Sequence, residues 1–250
     1  MEQGESTRLA GDRLVLNIAN VEYPFRWCPA GTFMMGSPES EKERRHDETL
    51  HQVTLTRGFW MLEIQVTQVM WKGAMNYNPS RFTGEKLPVE NVSWNDCQEY
   101  IRRLNTLNIT PPSYKFSLPT EAQWEYACRA GTITPYHFGK TLEKDKANYG
   151  KNLKTTIEAG SYPANTWGLY NMHGNVWEWC MDWYSKYPSG SEIDPMGTSI
   201  GTQRVCRGGS WSDHVGLCRS AFRKSSSPSH RYIHNSSYGI RLSLVCDEVF

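Results

Sequence analysis

The chain has 250 residues, of which 38% are hydrophobic and 21% charged, a balance ordinary for a soluble globular domain and wrong for a disordered polyelectrolyte. Its net charge of +1 is spread along the whole length, without the basic stripe that releases counterions from nucleic acid. No run approaches the roughly 20 apolar residues of a membrane span, so neither a nucleic-acid partner nor a membrane span is expected.

In chain order, Gln52 to Leu55 alternates polar and apolar residues and Phe59 to Ile64 is rich in aromatics, so both read as short strands. A short helix is predicted from Thr67, carrying Val69, Met70 and Trp71. A longer helix is predicted from Ser93, its N-cap, to Leu107. Asp96 stands three residues on, and Cys97, Tyr100, Ile101, Leu104 and Leu107 form one apolar stripe. A third begins at Thr120, which caps while Gln123 reaches back, carries Trp124, Ala127 and Cys128, and stops at Gly131. Gly239 to Val245 closes the chain with period-two character. The remainder is turn chemistry, and the 10 Trp, each able to bury on the order of 200 Å², are the means of pinning such loops. No repeat and no Pro/Ser-rich linker divides the chain, so a single α+β domain is expected over residues 26–246, with residues 1–25 as an N-terminal extension.

The seven cysteines, Cys28, Cys97, Cys128, Cys180, Cys206, Cys218 and Cys246, are scattered and form no CxxC pair. A zinc cluster is disfavoured and buried, inert thiols are expected. The histidines include no HExxH; His230 and His234 are four apart, but the run around them is turn-like and does not set both on one helix face. The first 20 residues lack a basic segment followed by an apolar core, the mark of a signal peptide.

The strings WCPAGTFMMGSPESEKERRHDETLHQVTL, GFWMLEIQVTQVMW, LPVENVSWNDCQEYIRRLN, LPTEAQWEYACRAGT, GLYNMHGNVWEWCMDWY, RVCRGGSW, CRSAFR and GIRL occur between Arg26 and Leu242. Together, and in this order, they resemble the signature blocks of the formylglycine-generating, or sulfatase-modifying, enzymes. The resemblance implies the C-type lectin-like fold of that family, α+β with little regular secondary structure. In the family, two cysteines five residues apart after the GGS-aromatic motif work with copper to oxidise a sulfatase cysteine. The matching positions here are Asp213 and Cys218. A carboxylate cannot stand in for a soft thiolate at Cu(I) or in a thiol–disulfide cycle, so no catalytic residue and no catalytic cofactor is expected. The alternative is a copper-dependent protein-cysteine oxidase that uses Cys218 alone. The family also implies a structural calcium ion in the loop GLYNMHGNVWEW, with Asn171, Gly174, Val176 and Glu178 at the ligand positions and oxygens suited to a hard cation. The competing reading has Glu178 only hydrogen-bonded in an aromatic corner.

Residues 212–238 are rich in Ser, His, Tyr and Asn between two framework strings, a composition suited to adaptable contacts. This tract is similar to the variable regions of diversity-generating retroelement proteins, those of treponemes among them, in which adenines of Asn codons are randomised. Within a variable region at 205–242, the resemblance implies ligand contacts at Ser212, Asp213, His214, Gly216, Leu217, Phe222, Ser225, Ser227, Ser229, His230, Tyr232, Ile233, His234 and Asn235. Arg219, Ser220, Ala221, Arg223, Pro228 and Arg231 would be framework. The expected partner is a protein or glycan, bound by a monomer at the cell surface as an exported lipoprotein; a cytoplasmic location and a structural role in a surface complex are the alternatives.

Overall fold

The structure is a computed structural model that describes residues 8–231 and 237–246. Numbered in chain order, β1 (Arg13–Ile18), β2 (Val21–Cys28), β5 (Phe59–Leu62), β12 (Ser243–Cys246) and β6 (Tyr114–Ser117) lie side by side in one antiparallel sheet. A second sheet has the order β10 (Lys224–Ser226), β9 (Arg204–Arg207), β7 (Trp177–Trp183) and β11 (Tyr238–Gly239), and a third has β3 (Gly31–Met35), β4 (His51–Leu55) and β8 (Glu192–Ile193). The helices are α1 (Gln68–Met75), α2 (Trp94–Asn105) and α3 (Glu121–Arg129).

Each helix begins where a side-chain oxygen can serve an otherwise orphaned backbone N–H. Thr67, Ser93 and Thr120 are the N-caps, and the return hydrogen bonds of Asp96 to Ser93 and of Gln123 to Thr120 are both formed. Cys97, Tyr100, Ile101 and Leu104 turn into the main core. The helix stops at Asn105, however, with Thr106 as C-cap, and Leu107 is 48% exposed. At the end of α3 the C-cap is Ala130, in the left-handed conformation, followed by Gly131, which also has a positive φ.

Two further expectations are corrected. Residues 13–25, expected in an N-terminal extension, belong to the large sheet, β1 pairing along all six of its residues with β2 and burying Ile18 and Tyr23 in the core. The closing segment Gly239–Val245 is not one strand. It is split between two sheets, because the fully buried Arg241 leaves the ladder and donates to the carbonyls of Leu62, Glu63 and Tyr170. The main core holds Trp71 stacked on Tyr100 with ring centroids 4.8 Å apart, together with Phe116, Trp177, Trp179 and Tyr238. A second core, with Trp124, Val53 and Leu169, lies under α3. All seven cysteines are unpaired and all but Cys246 are buried.

Candidate functional site

The turn after β9 fixes what the two positions of the missing cysteine pair can do. Gly208 and Gly209 have φ of +94° and +76°, the left-handed region that glycine enters without steric cost. A Cβ on Gly209 would come within 2.5 Å of Cys218 Sγ, so the backbone lies flat against the thiol. Cys218 ends a short 3-10 turn, Val215–Cys218, and is fully buried. Burial, with a smaller contribution from the Asp213 charge, pushes its pKa well above the usual thiol range. It is a protonated, enclosed sulfur, the opposite of the exposed low-pKa thiolate of a reactive cysteine. Asp213 is half-buried. Its Oδ2 accepts from Trp177 Nε1 at 2.8 Å and from Ser210 Oγ, so its carboxylate ties the turn to β7.

From Asp213 onward the tract is held by arginines. Arg219, buried, donates to Glu41 and to both carboxylate oxygens of Glu48 at 2.6–2.8 Å, which clamps the loop of residues 41–48 beneath it. Arg223 makes two bonds of 2.6 Å to Glu121, the first residue of α3. Arg231, exposed, reaches Asp96 in the first turn of α2. Ser220 and Ala221 are buried and Pro228 partly so, its carbonyl accepting from Asn95 N.

Between these ties His214, Ser229 and His230 are exposed, and Ser212, Asp213, Leu217, Ser225 and Ser227 are partly exposed. Two of the expected contacts are corrected. Phe222 is only 5% exposed, its ring 5.9 Å from that of Trp177, and Gly216 is covered by Glu43, whose carboxylate would clash with any Cβ there. Phe222 lies between the buried Arg219 and Arg223, and Gly216 lies beneath the Glu43 side chain. Tyr232, Ile233, His234 and Asn235 lie outside the described residues.

The same surface includes Lys224 of the tract and residues from distant segments. Lys224 Nζ sits 4.7 Å from the Trp177 ring centroid and 5.0 Å from that of Tyr238. Glu43 faces His214 at 3.3 Å, and beside them a cavity of about 300 Å³ is lined by Lys42, Glu43, Tyr136, Leu142, Tyr149 and Val215. Most of these come from segments about 70 or more residues away, and no local pattern marks them.

The four expected calcium ligands do converge. The carbonyl oxygens of Asn171, Gly174 and Val176 and Oε1 of Glu178 all face one point. A side chain is already there: Gln65 Nε2, at 3.4, 3.5, 3.3 and 2.9 Å from them. Glu178 is also matched in charge by Arg241, which bonds both its oxygens at 2.8 Å, and Trp124 Nε1 donates to it at 2.7 Å. Calcium bonds of 2.3–2.6 Å leave no room for ion and amide together, so the residues present do not fit a cation. Among the described residues, no group of three or more His, Cys, Asp or Glu side chains is arranged to hold a metal.

The profile of the sulfatase-modifying factor enzyme 1-like domain matches residues 24–244, nearly the whole chain. The chain belongs to this family. It is 30% identical over 216 residues to the formylglycine-generating enzyme of Mus musculus, across 79% of this chain and 54% of that one. It is 36% identical over 161 residues to the serine/threonine-protein kinase pkn1 of Chlamydia pneumoniae, across 62% of this chain and 24% of the kinase. The chain thus spans about half the length of the first relative and a quarter of the second. Among solved structures, Treponema denticola variable protein 1 superposes with a TM-score of 0.84 at 29% identity, covering 94% of this chain and 99% of that one. The fold of this family member is therefore the C-type lectin-like α+β fold of the formylglycine-generating enzymes and of a variable protein.

Proposed function

We propose that this domain binds a macromolecular ligand, protein or glycan, on the surface built from residues 212–231, and performs no chemistry there. The observation that carries the reading is the pair Asp213 and Cys218: a carboxylate engaged by Trp177 and Ser210 in the first position, and in the second a fully buried thiol under Gly209. Neither can offer a thiolate to copper or to a substrate cysteine. The likeness to Treponema denticola variable protein 1 supports the same reading.

The arginine ties make the surface suitable for display. Arg219, Arg223 and Arg231 anchor it to three separate parts of the molecule. Side chains between anchors can change while the backbone under them stays ordered. A surface ordered beforehand also avoids a cost of about 0.5–1.5 kcal/mol for each rotamer-rich side chain immobilised on binding. Such a protein acts where ligands are met, as a monomer exported to the cell surface.

The rival is the copper-dependent oxidation of a protein cysteine to formylglycine, and several relatives are named formylglycine-generating enzymes. The purified domain is incubated with a cysteine-containing sulfatase-motif peptide, Cu(I) and oxygen, and the peptide is analysed for aldehyde by mass. No aldehyde above the enzyme-free control is expected; aldehyde formation lost in Cys218→Ala would overturn the proposal.

A further inference from the structure

The cage of four oxygens in the loop before β7 has its centre filled by a side chain, and the hydrogen-bond chain leading to that side chain fixes which of its atoms points inward. Ile157 N is a backbone donor and has no other role; it donates to Asn175 Oδ1 at 2.9 Å. That makes Asn175 Nδ2 the donor on the other side of the amide, and it donates to the carbonyl of Ile157 at 3.1 Å and to Gln65 Oε1 at 2.8 Å. Gln65 Oε1 is therefore an acceptor, and Nε2 must be the atom facing Asn171, Gly174, Val176 and Glu178. A flipped Gln65 would turn an oxygen towards four oxygens and, at its other end, set one NH2 group against another. Gln65, Asn175, Val176 and Glu178 are all fully buried, so no water relieves a wrong choice.

We infer that the Gln65 amide takes the place of a structural cation, so that this domain holds the loop of residues 171–178 in shape without calcium. The amide NH2 carries partial positive charge and two hydrogens. The bond to Glu178 Oε1, at 2.9 Å, is a full hydrogen bond. The three carbonyls at 3.3–3.5 Å share the remaining hydrogen and the dipole. Charge balance agrees: Glu178 is the one carboxylate in the cage and Arg241 already neutralises it, which leaves no negative charge to repay the desolvation of a divalent ion. The loop so held positions Trp177, whose indole N–H binds Asp213 at the foot of the display tract.

The inference predicts two results, with calcium itself as the probe. Thermal unfolding of the wild-type domain gives the same Tm after exhaustive treatment with EGTA and in excess calcium, and calorimetric titration of the chelator-treated protein with calcium shows no binding. A Tm that falls on chelation, or saturable calcium binding lost in Glu178→Gln, would overturn it. In Gln65→Glu the donor becomes an oxygen and the cage gains a negative charge. This variant is expected to unfold at lower temperature in EGTA and to recover by roughly 5–10 °C in calcium at a hundredfold excess over its Kd. If Gln65→Glu folds and ignores calcium, the amide is not standing in a cation's place and the inference fails. If the variant does not fold at all, the wild-type comparison decides.

Discussion

Asp182, in β7, is a buried carboxylate that shares its site with a second one, Glu121. Its Oδ2 accepts from the backbone N–H of Glu121 at 2.7 Å, at the start of α3. Burial opposes the charge of Glu121 too, but Arg223 and Arg207 outweigh it and hold that carboxyl below its ordinary range. At Asp182 the Arg223 charge acts the same way but is outweighed. Burial first, and the Glu121 charge second, push it up to about 7 from an ordinary 3.8. The native state therefore keeps a proton that the unfolded chain releases at lower pH, so this side chain's contribution to stability is intact below about 4 and is lost as pH rises towards 7. The slope cannot exceed about 1.4 kcal/mol per pH unit. Asp182→Asn is expected to gain stability relative to wild type between pH 4 and pH 8, measured by urea unfolding at both. Equal changes in the two proteins would show that Asp182 is ionised in the fold. At this scale the sequence is an uneven guide: Asp213 and Cys218 can be identified by their spacing after the GGS-aromatic motif, whereas nothing near Asp182 announces that Glu121, 61 residues away, will share its site.

At the scale of elements, the tract of residues 212–231 is a strand and two turns held by ion pairs of unequal worth. Arg219 is buried with Glu41 and Glu48, and removing it strands two carboxylates in a site from which water is excluded. Breaking such a pair by one partner costs about 3–5 kcal/mol. Arg231 and Asp96 meet at the surface, where a pair is worth about 0.2–1 kcal/mol. Urea unfolding is expected to find Arg219→Met destabilised several-fold more than Arg231→Met, and hydrogen exchange in the 41–48 loop is expected to rise only in the former. Comparable losses would mean that the tract is not hung from Arg219. The helices of this molecule were legible because capping is local: Ser93 with Asp96, and Thr120 with Gln123, are pairs three residues apart. The split of the final strand was not, since what ends it is the guanidinium of Arg241 reaching a carboxylate 63 residues away.

For the whole molecule, the proposal requires that folding and recognition be separable. The exposed positions of the tract, His214, Ser229 and His230, lie outside the core with its stacked Trp71 and Tyr100, whereas Leu217 packs against its edge. Replacing His214, Ser225, Ser229 and His230 together by Ala, Tyr or Asn is expected to shift stability by no more than about 0.5 kcal/mol per site. Circular dichroism and Tm measured on several such combinations check this, and general unfolding would mean that the tract is scaffold. The sequence by itself determined the family, the α+β lectin-like class, the N-caps Ser93 and Thr120, the unpaired thiols and the position of the missing sulfur. Each of these is written either in residues a few positions apart or in an ordered series of long motifs. Only the tertiary structure decided that β1 belongs to the main sheet, that Phe222 and Gly216 face inward, and that Gln65 enters the oxygen cage. The reason is that burial and orphaned hydrogen bonds are settled where distant segments meet: Gln65 and Glu178 are 113 residues apart, and no periodicity or cap links them until the chain has folded.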